Sequence, residues 1–509
     1  MQENDKSQDK LYRYCIILIG IYGVVLLFMC TAENGLGLSP DSTRYISGAH
    51  SFASGGAIKT IGGAPFILWP PLYPSVLGIF KVVGFDVLFI ARIINLILYG
   101  LLIYLTGMLL YHSLSEKWLS LCGAIIVSVS FPLMKVFVML WTEPLFSFLS
   151  MAAAWFFFKL IRHGDQKYWV ILAIVCALLP LQRYIGVSIV IAIIALLLVF
   201  LGDPFIKRLK KVILFAGIAF APLFIWLLRN YLIYGSLTGE RNPSSISLID
   251  NLAKMAKIIL WWFFSNELLL IERLLYLSVI AMFVIGIYVL YIFTEREGGL
   301  SRFLCEAICI AILIIYIFTQ LSASTLVAMD PMNDRFLSPM FAFAIVILLL
   351  SMDKLIVALK KRKSFHNVLY VIVLMFLFWP FVHNASRIYG QVLRPSVTYG
   401  NGTFTNKFWS SVEIIGWLKV NSNKLDRKIF SNAPHAVYVS TYKYCSTGPR
   451  VGSPFDVIDN YMSQEKWKGS YYILVRDYPK AGTYDMAEAR EFFKNRIEYE
   501  FIDGLIISY

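Results

Sequence analysis

The sequence contains little charge and few of the residues that form metal sites or disulfides. Charged side chains make up only 15% of its 509 residues, and it has 6 histidines and 7 cysteines. Six of the cysteines lie within or beside apolar runs, and only Cys445 lies in a polar segment. No C-x-x-C pair or His/Cys ligand spacing occurs, which argues against a disulfide framework and a structural zinc site.

Acidic residues are outnumbered by basic ones, and the formal net charge is +14. Such an excess can indicate nucleic-acid binding, but here most basic residues lie in short connectors between apolar blocks. Lipid headgroups and membrane topology account for charges in those positions. The expected partners therefore include membrane lipids and exclude nucleic acid.

Apolar residues are abundant, at 58% of the chain. They form blocks of roughly 16 to 25 residues, the length that spans about 30 Å of hydrocarbon as a helix. We therefore predict a polytopic α-helical membrane protein with about 11 transmembrane helices. The predicted spans lie near residues 14–32, 87–111, 118–134, 143–161, 168–181, 185–201, 212–228, 274–293, 303–322, 336–351 and 367–385.

The distribution of basic residues predicts the orientation of the chain. The first apolar run lacks a small-residue cleavage pattern, so we interpret it as a retained helix rather than a removed signal peptide. With the N-terminus in the cytoplasm, the basic clusters at 207–211 and 360–363 lie inside, in agreement with the positive-inside rule. An odd number of spans then places the C-terminus outside. We expect an integral multi-pass protein of the plasma (inner) membrane.

The irregular segments then lie on the outer side of the membrane. We divide the chain into a transmembrane domain, residues 1–386 with the first outer loop 33–86, and a small extracytoplasmic α/β domain, residues 387–509. Short apolar pieces of the first loop, broken by Gly and Pro, are predicted to form interfacial helices. In the tail, KIFSNAPHAVYVST and YYILVRDY are typical of β-strands, and DMAEAREFFKNRI is typical of an amphipathic helix.

Ionisable residues recur at the outer ends of the predicted helices. An ionisable group at a membrane boundary is a functional candidate, since its burial without a partner costs several kcal/mol. Groups on one side of the membrane can surround a common outward-facing cavity. The candidates are Asp41, Glu143, Arg183, Arg229, Asp330, Asp334 and Arg335.

Each candidate also has a purely structural alternative. Asp41 in SPDSTRYI fits a helix N-cap, and Glu143 followed by Pro144 fits the first turn of a helix. The three arginines fit side chains that extend to the lipid headgroups. Aromatic residues at helix ends are typical of interface anchors, and these are Trp69, Trp141 and Tyr231.

Several segments, taken in order, resemble a known enzyme class. They are PDSTRYISGAHSFASGG, WPPLYPSVLGIF, TEPLF, RNYLIYGSLTGERNPS and DRFLSPM. Over most of residues 14–386 the sequence resembles the GT-C class of membrane glycosyltransferases, in particular the protein O-mannosyltransferase-like and lipid A aminoarabinose transferase-like group. No single motif is specific, and it is their order and the matching topology that carry the resemblance.

The resemblance implies a polyprenyl-phosphate-linked sugar donor, used on the outer face of the membrane. It also implies an acidic residue in the first outer loop that activates the acceptor, and by position this residue is Asp41. Many members carry a second acidic residue directly after it, whereas this chain has Ser42. A paired-carboxylate or obligatory metal site at this loop is therefore in doubt, and a divalent metal ion stays an open alternative as cofactor.

This chemistry sets requirements that the other candidates meet. A carboxylate takes the proton of the acceptor hydroxyl, and the phosphate departs without protonation, so one base suffices. The planar guanidinium of arginine binds two phosphate oxygens, and Glu143 is expected to orient an arginine or to join a metal site. The predicted substrate-binding residues are Tyr45, Glu143, Arg183, Arg229, Asp334 and Arg335.

Two functions of different classes remain open from the sequence. The first is a polyprenyl-phosphate-sugar-dependent glycosyltransferase with a protein, lipid or glycan as acceptor. The second is a transporter or flippase of lipid-linked or small solutes, although the predicted helices carry few charges at mid-bilayer, where a transporter site is expected. A polymerase or ligase of envelope polymers would share the donor but not the first-loop pattern.

Overall fold

A computed structural model describes residues 2–263, 303–360, 378–379, 381–449, 453–478 and 482–509. Helices dominate these residues. In chain order they are α1 (Gln2–Thr31), α2 (Pro40–Ala53), α3 (Leu72–Val82), α4 (Val87–Ser113), α5 (Trp118–Ser128), α6 (Phe131–Phe137), α7 (Glu143–His163), α8 (Gln166–Gln182), α9 (Gly186–Phe200), α10 (Phe205–Tyr234), α11 (Leu248–Trp261), α12 (Leu304–Leu326), α13 (Asp334–Leu337), α14 (Phe341–Lys360), α15 (Arg394–Thr398), α16 (Lys407–Ser411), α17 (Glu413–Asn421), α18 (Pro434–Thr441), α19 (Phe455–Met462) and α20 (Met486–Phe493).

The described part of the chain contains 6 helices long and apolar enough to cross a membrane, all at predicted spans. The pair α5 and α6 is a further candidate, bent by 48°, and α8 and α9 are shorter apolar helices of 17 and 15 residues. The predicted span 274–293 and most of 367–385 lie outside the described residues. The helical membrane fold is confirmed, and the number of spans stays a prediction.

Contacts between residues divide the chain into two units. The first consists of Met1–Cys30, Ile67–Leu72 and Ile93–Arg394, and the second consists of Thr31–Phe66, Tyr73–Arg92 and Pro395–Tyr509. Most of the first outer loop therefore groups with the C-terminal residues. These contact-based units differ from the predicted domain division at residue 386, which stays a prediction.

The first unit is a bundle of apolar helices. In it α7 packs against α8, α8 against α10, and α9 against α12. Glycines allow α1 and α4 to approach closely: a Cβ on Gly100 would lie 2.9 Å from a side-chain carbon of Val24, and a Cβ on Gly107 would lie 2.8 Å from one of Ile16. Small residues at such crossings permit the dispersion contacts that hold helices together in lipid.

The second unit contains a mixed β-sheet. Its order is β2-β1-β3-β7-β6, in which β1 is parallel to β2 and β3, and β7 is antiparallel to β3 and β6. The helices α19 and α20 pack on this sheet around a core that includes Phe430, Tyr472 and Phe493. The strands are β1 (Lys428–Ser431), β2 (Cys445–Thr447), β3 (Ser470–Val475), β4 (Asp477–Tyr478), β5 (Gly482–Thr483), β6 (Ile497–Phe501) and β7 (Gly504–Ser508).

The prediction for the tail is partly wrong. The segment YYILVRDY contains β3 and DMAEAREFFKNRI contains α20, as predicted. KIFSNAPHAVYVST, however, is a strand only to Ser431, and its second half forms α18. Because β1 and β2 are parallel, a tight turn cannot join them, and the connection must cross over. Pro434 in the first turn suits the start of that crossover helix.

Backbone hydrogen bonds join the first outer loop to the tail within the second unit. The Leu38 carbonyl accepts from the amides of Thr403 and Phe404 at 2.8 and 3.0 Å. The Cys445 amide at β2 donates to the Ile61 carbonyl at 2.8 Å. The loop helices α2 and α3 therefore belong to an ordered unit, and the interfacial position of the loop stays a prediction.

The predicted topology can be tested by labelling introduced cysteines. Native Cys445 is fully buried, so we choose Val420→Cys, at a side chain that is 81% exposed. Gly202→Cys, where an added Cβ meets no atom within 4 Å, marks the connector before the basic cluster 207–211. We expect a membrane-impermeant maleimide to label Val420→Cys on intact cells, and Gly202→Cys only after permeabilisation.

The background for this experiment carries Cys15→Ala and Cys122→Ala, because these native cysteines are partly exposed. Labelling of both introduced positions on intact cells contradicts the predicted orientation.

Candidate functional site

Asp41 lies in the first turn of α2, and Ser39 caps that helix. Ser39 Oγ accepts a hydrogen bond from the Ser42 amide at 3.4 Å, and the Ser39 amide donates to Ser42 Oγ at 2.9 Å. This reciprocal pair is a capping box, with Pro40 in the first turn. The alternative that Asp41 is the N-cap is therefore wrong, because Ser39 holds that position. Asp41 follows at the positive end of the helix dipole, which favours a carboxylate.

The capping box also gives Ser42 a structural role. Its side chain is fully buried, and its hydroxyl serves the Ser39 amide. A carboxylate at this position would have to be buried, at a high desolvation cost unless it were paired. The way in which α2 begins thus explains why Ser42, and not a second acidic residue, follows Asp41.

Arg44 holds the carboxylate of Asp41. Its Nη1 lies 3.1 Å from Asp41 Oδ1, and both side chains are partly exposed. The two residues are three positions apart on α2, a spacing that places side chains on the same helix face. This spacing is visible in PDSTR, but Arg44 was not among the predicted site residues. The ion pair fixes the direction of one carboxylate oxygen.

Tyr45 lies in the packed interior of the second unit. Its side chain is 2% exposed, the Tyr73 ring meets it edge-on with centroids 5.5 Å apart, and Phe66 lies at 6.4 Å. Such aromatic contacts stabilise a core. The structure thus gives Tyr45 a packing role, and its role in substrate binding stays a prediction.

A histidine of the C-terminal residues lies beside α2. His435 Nδ1 is 2.6 Å from Thr43 Oγ1, and the imidazole stacks on the Phe404 ring at 5.7 Å. Burial lowers the pKa of His435 to about 4; the Arg44 guanidinium also lowers it, and the Asp41 carboxylate opposes the shift. The imidazole is therefore neutral at physiological pH. His435 was not among the predicted site residues, because nothing in the sequence indicates a contact between positions 392 apart.

In the first unit, Glu143 is a fully buried carboxylate held by two arginines. Arg183 Nη1 and Arg335 Nε both contact its Oε1, the latter at 2.5 Å, and the Thr142 hydroxyl donates to Oε2 at 3.3 Å. The helix start predicted at Glu143 is confirmed, since α7 begins there. The structure thus brings together three of the predicted residues, and we call Glu143, Arg183 and Arg335 the Glu143 cluster.

A break between two helices places Arg183 in this cluster. Arg183 ends α8 in an extended conformation, with φ −151° and ψ 135°. Gly186 then begins α9 at a point where any Cβ would overlap the Leu179 carbonyl, so only glycine fits. Arg183 Nη1 and Gln182 Nε2 donate to Thr142 at 3.0 and 2.8 Å. These bonds fix the break against the start of α7.

The short helix α13 supplies both Arg335 and Asp334. The Arg335 guanidinium lies over the Trp141 ring, 4.3 Å from its centroid, so Trp141, predicted as an interface anchor, also holds this arginine. Asp334 is 5% exposed and accepts from Lys135 Nζ at 2.9 Å. Lys135 was not predicted as the partner of Asp334. The feature of the sequence that could have indicated it is a lysine at the end of an apolar segment.

Arg229 lies near the end of α10. Its Nη1 donates to Asn230 Oδ1 at 2.9 Å, and its guanidinium lies 4.7 Å from the Trp226 ring centroid. The predicted residues are divided between the units: Asp41 and Tyr45 belong to the second, and the first contains Glu143, Arg183, Arg229, Asp334 and Arg335. A single outward-facing cavity that contains all of them stays a prediction.

Metal-ligating side chains do not gather in the described ranges. No group of three or more His, Cys, Asp or Glu lies close enough there to hold an ion. A divalent metal ion therefore stays an open alternative as cofactor, and no ligands for it are assigned among the described residues.

Solved structures of membrane glycosyltransferases share this fold. ArnT from Cupriavidus metallidurans, a lipid A aminoarabinose transferase, matches in its apo state with a TM-score of 0.60 and 10% identity, over 97% of both chains. The chain has a GT-C fold. The same ArnT bound to undecaprenyl phosphate matches with a TM-score of 0.58 and 10% identity, also over 97% of both chains.

A second neighbour extends this likeness. The oligosaccharyltransferase AglB from Archaeoglobus fulgidus, in complex with an inhibitory peptide and a dolichol-phosphate, matches with a TM-score of 0.55 and 12% identity, over 92% of this chain and 70% of AglB. The sequence itself matches no family model and no curated protein. The predicted resemblance to the GT-C class is thus confirmed in the fold.

The Glu143 cluster predicts a large effect of neutralising its carboxylate. Glu143→Gln keeps the size of the side chain but removes the negative charge that two mostly buried guanidinium groups contact. Breaking a buried ion pair costs about 3 to 5 kcal/mol, so we expect a clear fall in the apparent melting temperature of the purified protein. The control is Asp165→Asn, which breaks an exposed pair with Lys167 and should cost about 1 kcal/mol or less. Equal melting temperatures for the two variants contradict a structural role of Glu143.

The lowered pKa of His435 predicts a pH dependence of stability. Between about pH 6.5 and 4 the unfolded chain takes up a proton at this histidine and the folded chain does not, so stability falls as the pH falls through this window. We expect the apparent melting temperature to drop more for the wild type than for His435→Asn between pH 7 and pH 5. The pKa of His50 is also lowered by burial, and by Lys81, but this group titrates in both proteins. Equal drops contradict the buried, neutral His435.

Proposed function

We propose that the chain transfers a hexosyl or pentosyl group from a polyprenyl-phosphate-linked donor to an acceptor hydroxyl, at the outer face of the plasma (inner) membrane. The observation that supports this most is the fold shared over 97% of both chains with ArnT, which has also been solved with undecaprenyl phosphate bound. AglB, which shares the fold, has been solved with a dolichol-phosphate. A lipid phosphate is thus common to the two neighbours, and the acceptor of this chain is a protein, a lipid or a glycan.

Asp41 is the proposed general base. Its carboxylate takes the proton of the acceptor hydroxyl as the oxygen forms a bond to the anomeric carbon of the donor sugar. The bond between that carbon and the phosphate oxygen breaks, and the polyprenyl phosphate leaves with the electron pair. Arg44 supports this role, because its contact with Oδ1 orients the carboxylate.

The Glu143 cluster is the proposed holder of the donor phosphate, together with Arg229. Two arginines face one carboxylate in the cluster, so one net positive charge remains. Guanidinium groups bind phosphate oxygens in pairs, which a lysine ammonium does not reproduce. Glu143 and Trp141 orient the arginines, and Asp334 and Tyr45 stay proposed substrate-binding residues.

A transporter or flippase is the alternative function. In that case Asp41 takes no proton, and no bond in the donor is broken. The two functions are therefore separated by one product, free polyprenyl phosphate, which only the glycosyltransferase releases.

Asp41→Asn tests the proposed base. The substitution preserves the size of the side chain and leaves the Ser39 cap intact, but an amide cannot take the proton. Loss of a general base typically costs 10²- to 10⁴-fold in rate. We expect purified Asp41→Asn to bind undecaprenyl phosphate as the wild type does, and to release it from undecaprenyl-phosphate sugars at least 100-fold more slowly when a cell-envelope extract supplies the acceptor.

The matched control is Asp456→Asn, which removes an exposed carboxylate from the first turn of α19 and should leave the rate of release unchanged. Release by Asp41→Asn at the wild-type rate contradicts the role of Asp41. A wild-type protein that releases nothing from any hexosyl or pentosyl donor contradicts the glycosyltransferase and favours the transporter.

A further inference from the structure

The C-terminal sheet has a topological switch point, the place at which open α/β sheets bind ligands. From β1 the chain passes through α18 to β2 on one side, and then through α19 to β3 on the other side of β1. The strand order therefore reverses at the carboxyl ends of β1 and β3. Ligands of open α/β sheets bind outside the strands at such a switch point.

Hydrogen bonds fix the residues that follow β1 against the end of β3. Asn432 Nδ2 donates to the Val475 carbonyl at 2.7 Å, and Asn432 Oδ1 accepts from the Val475 amide at 2.9 Å. The Ser431 hydroxyl donates to the Ile473 carbonyl at 2.7 Å. These bonds tie the end of β1 to the end of β3. His435 follows in the first turn of α18 and is therefore presented by a rigid segment.

The hydrogen bonds of Thr43 determine which nitrogen of His435 carries the proton. The Thr43 hydroxyl contacts two groups, the Pro40 carbonyl at 2.8 Å and His435 Nδ1 at 2.6 Å. A hydroxyl has one hydrogen and a carbonyl only accepts. Both contacts are hydrogen bonds only if the hydroxyl donates to Pro40 and Nδ1–H donates to the hydroxyl. Nε2 of the neutral imidazole is then an acceptor.

Nε2 is available to a ligand. Among the residues that the structure describes, nothing donates to this atom, and it is not one of the fully buried atoms that lack a partner. The charged groups whose fields reach the imidazole are Arg44 and Asp41 on α2, and the Phe404 ring covers one of its faces. A neutral acceptor therefore stands beside the helix that carries the proposed base.

We propose that His435 is a binding residue for a saccharide acceptor. Its Nε2 accepts a hydrogen bond from one hydroxyl of the sugar, while a second hydroxyl of the same acceptor presents its proton to Asp41. The inference rests on the proposed function and adds the acceptor class to it. A serine or threonine acceptor has one hydroxyl and cannot serve both groups.

Two variants separate this role from the packing of α2. The amide nitrogen of Asn occupies the place of Nδ1, so His435→Asn keeps the bond to Thr43 and removes the acceptor at Nε2. The longer Gln side chain brings an amide oxygen to the place of Nε2, so His435→Gln restores an acceptor there. If His435 had only a structural role, His435→Asn would not be more impaired than His435→Gln.

The experiment measures release of undecaprenyl phosphate by the full chain, with an undecaprenyl-phosphate sugar as donor and a cell-envelope extract as acceptor. One lost hydrogen bond corresponds to roughly three- to tenfold in affinity. We expect His435→Asn to need roughly three- to tenfold more extract for half-maximal rate, at an unchanged maximal rate and melting temperature at pH 7.5. His435→Gln should recover part of the difference.

Treating the extract before the assay tests the acceptor class. We expect periodate, which cleaves sugar diols, to abolish release, and proteinase K to leave it unchanged. Half-saturation of His435→Asn at the wild-type extract concentration overturns the role of His435 and leaves the proposed function intact. Loss of release after proteinase K alone overturns the saccharide acceptor. A wild-type protein that releases nothing overturns the proposed function, and this inference with it.

Discussion

The buried carboxylate of Glu143 constrains where other segments of the first unit begin and end. Because its side chain is fully buried, its charge must be matched by protein groups. The matching arginines come from the break between α8 and α9 and from α13, so three segments distant in sequence must end or begin at fixed residues. A helix break is tolerated in a membrane protein where the protein satisfies the freed polar groups. At this break the Gly186 amide donates to the Arg183 carbonyl at 2.7 Å, and the Val187 amide donates to the Tyr184 carbonyl at 3.2 Å.

In the second unit, different contacts hold the candidate base, Asp41, in place. No buried ion pair is needed around Asp41, because the capping box of Ser39 and Ser42 fixes where α2 begins. Contacts from the tail then hold the helix: His435 contacts Thr43 on α2, and Thr403 and Phe404 bond to Leu38 just before it. A helix of 14 residues is marginal on its own in water. The C-terminal residues therefore supply the packing that keeps the segment of Asp41 in place.

Features that depend on neighbours in sequence were predictable. The lengths of the apolar runs, the start of α7 at Glu143 and the strand at YYILV follow from local composition, and the structure confirms them. The second half of KIFSNAPHAVYVST was misjudged, because a short apolar segment has no period that separates strand from helix. What makes it a helix is the parallel pairing of β1 with β2, and that pairing is invisible in the segment itself.

The partners of the candidate residues were not predictable for the same reason. Arg335 and Glu143 are 192 positions apart, Lys135 and Asp334 are 199 apart, and Thr43 and His435 are 392 apart. The sequence shows which ionisable residues are costly to bury. Only the packing of the chain determines which residue pairs with each of them. Asp41 and Arg44 are the exception, since their spacing of three on a helix was sufficient to pair them.

Stability alone does not account for the Glu143 cluster. Replacing a buried ion cluster with well-packed apolar residues is often neutral or stabilising, because desolvation of the charges offsets their attraction. An apolar replacement would keep three segments together as well as Glu143, Arg183 and Arg335 do. It would not leave one net positive charge fixed beside Trp141. It would also lack guanidinium donors that are oriented before a ligand binds. What only the ionic arrangement supplies is a set of oriented cationic donors, which is what the proposed binding of the donor phosphate requires.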